Sequence, residues 1–273
     1  MSKPIGGFAR PVGASRLTSK FQRGWQNHPL SFFRKSQKRF TFKLMTRLLS
    51  ILSLLVCSQT MAQKIIIEDN LRFLALGDSY TIGESVTADS RWPVLLVDSL
   101  HHHGINALEP NIVATTGWRT DELKRAIEKA KFKGTFSLVS LLIGVNNFYQ
   151  GKTVESYAPE FEELLRTAIR LADGRKDHVF VLSIPDYGYT PFGQNKREQI
   201  TEGVDAFNKV NKEITEKLGI RYFDITPISR RGLAEPDLVA SDGLHPSGKM
   251  YSEWVELILK DATLVPEEED EEK

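Results

Sequence analysis

The sequence predicts a layered α/β domain in which a parallel sheet carries helices on both faces. Three observations point there: five short apolar runs, amphipathic helical stretches between them, and the repetition of this alternation over about 190 residues from Leu71 onward. Leu71-Arg72-Phe73-Leu74-Ala75-Leu76 reads as a buried strand that stops at Gly77. Asn111-Ile112-Val113-Ala114 is the second strand, Ser137 to Ile143 the third, Val179 to Ile184 the fourth, and Arg221-Tyr222-Phe223-Asp224 a weaker fifth.

The helices follow from apolar spacing of three and four. His101, His102 and His103 stand at a helix end before Gly104, where cations suit the helix dipole. Leu123, Ala126, Ile127 and Ala130 share a face behind Thr120, expected as the N-cap, with Asp121 and Glu122 in the first turn. Val154, Tyr157, Phe161, Leu164, Leu165 and Ala168 make a longer stripe ending near Gly174. Ile200, Val204, Phe207, Ile214 and Leu218 mark another that ends at Gly219, and Met250, Tyr251, Trp254, Val255 and Ile258 mark the last.

Composition bounds the rest. Of 273 residues, 41% are hydrophobic and 26% charged, which excludes a polytopic membrane protein, a collagen-like repeat and a mainly disordered chain. One cysteine excludes an internal disulfide framework and a zinc site built on several thiolates. The formal charge of +1 is a cancellation. Eleven of the 36 basic residues and none of the 35 acidic ones precede residue 63, so the remainder carries 25 basic and 35 acidic groups, a net of −10. An acidic domain opposes nucleic-acid binding, which needs a retained basic surface.

Residues 1–44 form a basic leader punctuated by Ser, Gly and Pro, unsuited to packing a core. Met45-Thr46-Arg47, an apolar run from Leu48 to Val56 and a small-residue site at Thr60-Met61-Ala62 give residues 45–62 the pattern of a secretory signal peptide. Nine residues are too few for a membrane span. The expectations are a translation start at Met45, cleavage after Ala62 and a secreted or periplasmic protein; an organelle transit peptide, or lipid attachment at Cys57, is the alternative. Glu267 to Glu272 reads as a solvated acidic tail.

In a parallel sheet, ligands bind beyond the carboxyl ends of the strands, so candidate chemistry is sought at strand exits. The first exit is Gly77-Asp78-Ser79-Tyr80, where a serine serves equally as helix cap or nucleophile. The third is Gly144-Val145-Asn146-Asn147, whose amides serve either as hydrogen-bond donors into a crevice or as turn formers. Before the last helix lies Asp242-Gly243-Leu244-His245. One short turn there carries an imidazole base and a carboxylate able to orient it, as acyl transfer by a serine requires. His178 precedes a strand in a polar loop, and of the five histidines after residue 62 only His245 has a carboxylate so placed. Gly151-Lys152-Thr153 lacks the earlier glycine of a phosphate loop, with Asn146 in its place, and no GxGxxG occurs.

Four ordered motifs together resemble the SGNH/GDSL hydrolase family of serine esterases, lipases and acylhydrolases. Gly77-Asp78-Ser79-Tyr80 looks like its nucleophile block, Thr115 to Thr120 its glycine block, Gly144-Val145-Asn146-Asn147 its GxND block and Asp242 to His245 its DxxH block. The resemblance covers roughly residues 70–262 and implies a three-layer α/β/α sandwich with a parallel, flavodoxin-like sheet, placed over residues 63–264 with the acidic tail at 265–273. It implies Ser79 as nucleophile, His245 as base and then acid, Asp242 orienting His245, and an oxyanion hole from the Ser79 and Gly117 N–H groups and the Asn146 amide. Asn147 departs from the family's Asp, which predicts altered loop energetics rather than lost catalysis. Thr81 stands where a G-x-S-x-G elbow needs glycine, against the α/β-hydrolase class.

The function expected is a secreted ester hydrolase needing no cofactor or metal, with activity rising as His245 becomes neutral. Its substrate is a small-molecule, lipid or glycan ester: small acyl groups on carbohydrate, or longer ones on a lysolipid or thioester. A secreted binding protein without catalysis is the competing class. Trp118, Phe148, Tyr149 and Tyr187 are expected to border the substrate pocket, or else to be loop-packing residues.

Overall fold

In a computed structural model of the protein, residues 64–266 are described; the leader (1–44), the segment 45–62 with Cys57, and the tail from Glu267 lie outside them. The five apolar runs become β2 (Phe73–Gly77), β3 (Asn111–Ala114), β4 (Leu138–Leu142), β5 (Val179–Leu182) and β6 (Arg221–Phe223), all parallel in the spatial order β3-β2-β4-β5-β6. Every residue of β2, β4 and β5 is buried, which is why these strands read as continuous apolar runs rather than alternating ones. Each fully buried Leu, Val or Phe side chain stabilises the fold by about 1.5–3 kcal/mol.

Two short helices, α1 (Ser79–Ile82) and α4 (Val145–Tyr149), begin directly at the exits of β2 and β4. Of the longer helices, α2 (Trp92–His102) packs against α8 (Gly248–Lys260), while α3 (Thr120–Ala130), α5 (Val154–Leu171) and α6 (Arg197–Lys217) pack in succession. A further short helix, α7 (Thr226–Ser229), follows β6. The sequence marks only the C-terminal end of α2. There His102 Nδ1 meets the Asp98 carbonyl at 2.7 Å and His103 Nδ1 the Ser99 carbonyl at 2.8 Å, capping acceptors the last turn leaves free.

Two strands are not anticipated. β1 (Ile65–Glu68) and β7 (Ala262–Val265) form a separate parallel pair, with Ile65 opposite Ala262, and Ile65 and Ile67 are fully buried. Thr120 is not a cap. It is the first residue of α3, Arg119 holds the N-cap position, and the Arg119 N–H donates to Glu122 Oε2 at 3.0 Å. Among the described residues, no helix is long and apolar enough to cross a membrane.

Candidate active site

The strand order reverses between β2 and β4: the chain leaves β2 for β3 on one side and returns to β4 on the other. Such a switch point opens a crevice at the carboxyl ends of the two strands, where Ser79 and Asn146 lie. Asp78, fully buried, is the N-cap of α1: its Oδ1 accepts the Tyr80 N–H at 3.1 Å. Burial pushes the Asp78 carboxyl up to about 7, against the opposing pull of hydrogen bonds from Tyr80 and Asn146. At the first exit it is Asp78, not Ser79, that caps the helix, and Ser79 lines the cleft.

At the exit of β4, Gly144 turns the chain at φ 134, and Asn146 follows. Asn146 Nδ2 donates to the Trp118 carbonyl at 3.0 Å and lies 3.5 Å from Asp78 Oδ2, so one of its two hydrogens is only weakly held. Gly117 adopts φ 85, a conformation costly for other residues, and its carbonyl accepts from Gln150 Nε2 at 3.1 Å. Thr116 Oγ1 donates to Glu84, tying this loop to the segment after α1.

Asn147 is buried and points away from the cleft. Its Oδ1 accepts the Thr120 N–H at 3.1 Å, and its Nδ2 donates to Thr120 Oγ1 at 2.7 Å, while the Thr120 hydroxyl donates its single proton to Glu160. An aspartate at 147 would compete with Glu160 for that one proton, so the amide is matched to this partner set. Asn147→Asp is therefore expected to destabilise the fold by about 1–3 kcal/mol, the cost of an unmet buried charge acceptor. Adding Glu160→Gln supplies a donor to Thr120 and should recover most of that loss in urea titrations; equal stability of wild type and Asn147→Asp would refute the account.

Asp242 and His245 share one turn. His245 Nδ1 lies 2.6 Å from Asp242 Oδ2, and Asp242 Oδ1 accepts the N–H groups of Leu244 at 2.9 Å and His245 at 3.0 Å. Partial burial disfavours the Asp242 charge, but hydrogen bonds from His245, Ser85 and Leu244 outweigh it and hold this carboxyl well below its ordinary value. An ionised carboxylate only accepts, so Nδ1 carries the proton and Nε2 is left as a base. The Tyr80 ring meets the imidazole edge-on at 5.7 Å, and the Phe192 N–H donates to the Gly243 carbonyl at 2.9 Å, fixing the turn from two sides.

Sequence reasoning missed one contributor. Ser85 Oγ donates to Asp242 Oδ2 at 2.7 Å across 157 positions, from a backbone in the left-handed region at φ 66. A serine just past a glycine turn gives no signal of this reach.

Ser79, Gly117, Asn146 and His245 line one cleft of about 320 Å³, with Tyr149, Tyr187 and Phe192 at its wall and Asp242 bonded to His245. Of the expected pocket aromatics, Tyr149 and Tyr187 are there, whereas Phe148 and Trp118 are not among its lining residues. The Phe148 ring packs on Phe207 at 5.9 Å and lines the neighbouring depression instead. Trp118 is half-buried against the core and contributes its carbonyl to Asn146. Tyr187 is set by the buried Asp186, which accepts from the Gly188 N–H, Thr201 and Arg230.

The switch point of a parallel sheet thus gathers a serine, an amide and an Asp-paired histidine around one cleft. Residues 75–252 match the GDSL-like Lipase/Acylhydrolase family, and the chain belongs to it. The fold is similar to that of TesA (15% identity, 70% of this chain and 97% of that one, TM-score 0.56). It is also similar to Axe2, an acetylxylan esterase from Geobacillus stearothermophilus (18% identity, 71% and 95%, TM-score 0.58). A third likeness is to the psychrotrophic esterase EstA from Pseudoalteromonas sp. (16% identity, 70% and 96%, TM-score 0.52). No curated protein sequence matches the chain.

Proposed function

We propose that the protein is a secreted serine ester hydrolase that works through an acyl-enzyme. The observation that carries this reading is the 2.6 Å contact between His245 Nδ1 and Asp242, on a turn whose imidazole shares a cleft with Ser79. Ser79 Oγ attacks the ester carbonyl while His245 Nε2 takes its proton. The negative charge that forms on the carbonyl oxygen is met by the N–H groups of Ser79 and Gly117 and by the weakly held hydrogen of Asn146. Each such donor is worth about 3 kcal/mol at the transition state. His245 returns the proton to the leaving alcohol; water, deprotonated by His245, then attacks the acyl-serine and releases the acid and Ser79. A panel of 4-nitrophenyl esters of rising acyl length tests it directly, since a wild-type protein that cleaves none of them is not an esterase. Secretion rests on the segment 45–62 and is tested by N-terminal sequencing of exported protein; an end well before Gln63 sinks it.

Within this reading Ser85 is a positioning residue for Asp242. Ser85→Ala is expected to lower kcat about fivefold, the equivalent of one hydrogen bond of about 1 kcal/mol, with KM unchanged. Ser85→Gly should lose the same activity yet gain stability, because glycine tolerates the left-handed backbone. A merely structural role would move both quantities together, and unchanged kcat in both variants would count against the assignment.

A further inference from the structure

Beyond the aromatic wall of the cleft lies a second, larger depression of about 610 Å³. The two share Tyr149, Tyr187 and Phe192, so a substrate whose ester sits at Ser79 can continue past these rings into the second space. Tyr149 is 61% and Phe192 53% exposed, which makes them two of the most exposed large apolar side chains among the described residues. Their neighbours are Lys152, Lys196, Asn195 and Gln199, and no carboxylate lines the depression. Neither lysine makes an ion pair with another described residue, whereas Lys124 and Lys249 pair with Glu163 and Asp237 at 2.6 Å. The acids nearest in sequence are Glu155 for Lys152 and Glu198 for Lys196; Glu198 lines an adjoining depression that shares Lys196, Asn195 and Gln199 with this one, and neither acid lines the groove itself.

The two lysines come from different elements, which argues for a shared target. Lys152 follows α4, its N–H held by the Asn147 carbonyl at 2.8 Å, so it is anchored to the same short helix that presents Asn146. Lys196 directly precedes α6. On a protein whose residues after 62 carry a net of −10, an aromatic groove whose charged lining residues are both cations is set apart from the general surface.

We propose that this groove binds the alcohol part of the substrate, and that this part is an anionic saccharide. Exposed aromatic rings offer flat faces for a sugar ring, the amides match its hydroxyls, and the lysines take its carboxylate. An acyl chain could pack on the rings but would leave two lysines and two amides without a partner, so the saccharide is assigned to this groove and the acyl group to the smaller cleft beside Ser79. The proposal rests on the ester-hydrolase reading and adds the charge and class of the leaving alcohol.

The test compares an O-acetylated uronate oligosaccharide with the same oligosaccharide in which each uronate is methyl-esterified and neutral, following acetate release. The expected result is a kcat/KM ratio of about 10 in favour of the anionic form at low salt. Two lysine contacts, each worth a few-fold in rate at a partly exposed site, give that figure. The ratio should shrink as NaCl is raised and approach one in the Lys152→Gln/Lys196→Gln double variant. Equal rates on the two saccharides, or a ratio the double variant leaves unchanged, would overturn the proposal. A third arm uses an anionic lysophospholipid: a higher kcat/KM there than on the acidic saccharide would assign the lysines to a lipid headgroup and also overturn it. Loss of all acetate release, including from 4-nitrophenyl acetate, would instead strike the esterase reading itself.

Discussion

Replacing Ser79 by alanine is expected to reduce ester turnover by about 10⁴- to 10⁶-fold while leaving thermal stability within about 1 kcal/mol of wild type. The loss is large because in the proposed reaction the serine oxygen forms the covalent bond, and nothing else lining the cleft is a comparable nucleophile: its other hydroxyls belong to Thr116, which is tied to Glu84, and to the phenols of Tyr80, Tyr149 and Tyr187. Stability should hold because the fold uses the Asp78 carboxylate, not the Ser79 hydroxyl, to cap α1. Initial rates on 4-nitrophenyl acetate together with a melting curve check both halves. Residual activity within tenfold of wild type would remove Ser79 from the reaction, and a collapsed melting temperature would show that the serine supports the fold instead.

The second large effect concerns folding. Gly144→Ala is expected to cost about 2–5 kcal/mol of unfolding free energy, combining backbone strain with overpacking. The backbone there sits at φ 134, which residues with a Cβ rarely adopt. A Cβ built on it would lie 2.8 Å from Ile184 Cδ1 and 2.9 Å from both Cε2 and the hydroxyl oxygen of Tyr157. Tyr157 cannot easily retreat: it is fully buried, its ring stands 4.8 Å from Phe207, and its hydroxyl donates to the Ile143 carbonyl at 3.0 Å. A loss below about 1 kcal/mol in urea denaturation would show that this exit of β4 yields more readily than its packing implies.

What the sequence conveys follows the number of faces each element buries. β2 and β4 are legible because burial on both faces demands unbroken apolar runs; β1 and β7 are four residues each, and their pairing joins positions almost two hundred apart. Local chemistry misleads at Thr120, where a good capping residue is drawn instead into holding Asn147 and Glu160. At the site, residues that recur as short motifs are visible, since Asp242 and His245 are three apart on one turn. Ser85 and the pair Lys152 and Lys196 are not, because their significance arises only when distant loops meet. Phe148 and Trp118 show the limit of adjacency: both flank site residues in sequence, yet their side chains serve packing and the neighbouring depression.

The parallel pairing of β1 with β7 bears on the order in which the domain and its cleft are completed during synthesis. A ribosome delivers β1 and the Ser79 turn early, but β1 has no partner strand until the final residues of the domain emerge. Asp242 and His245 arrive only just before them, on the segment leading into α8. A chain cut before Asp242 therefore holds Ser79 without His245, and Ile65 and Ile67 without the strand that covers them.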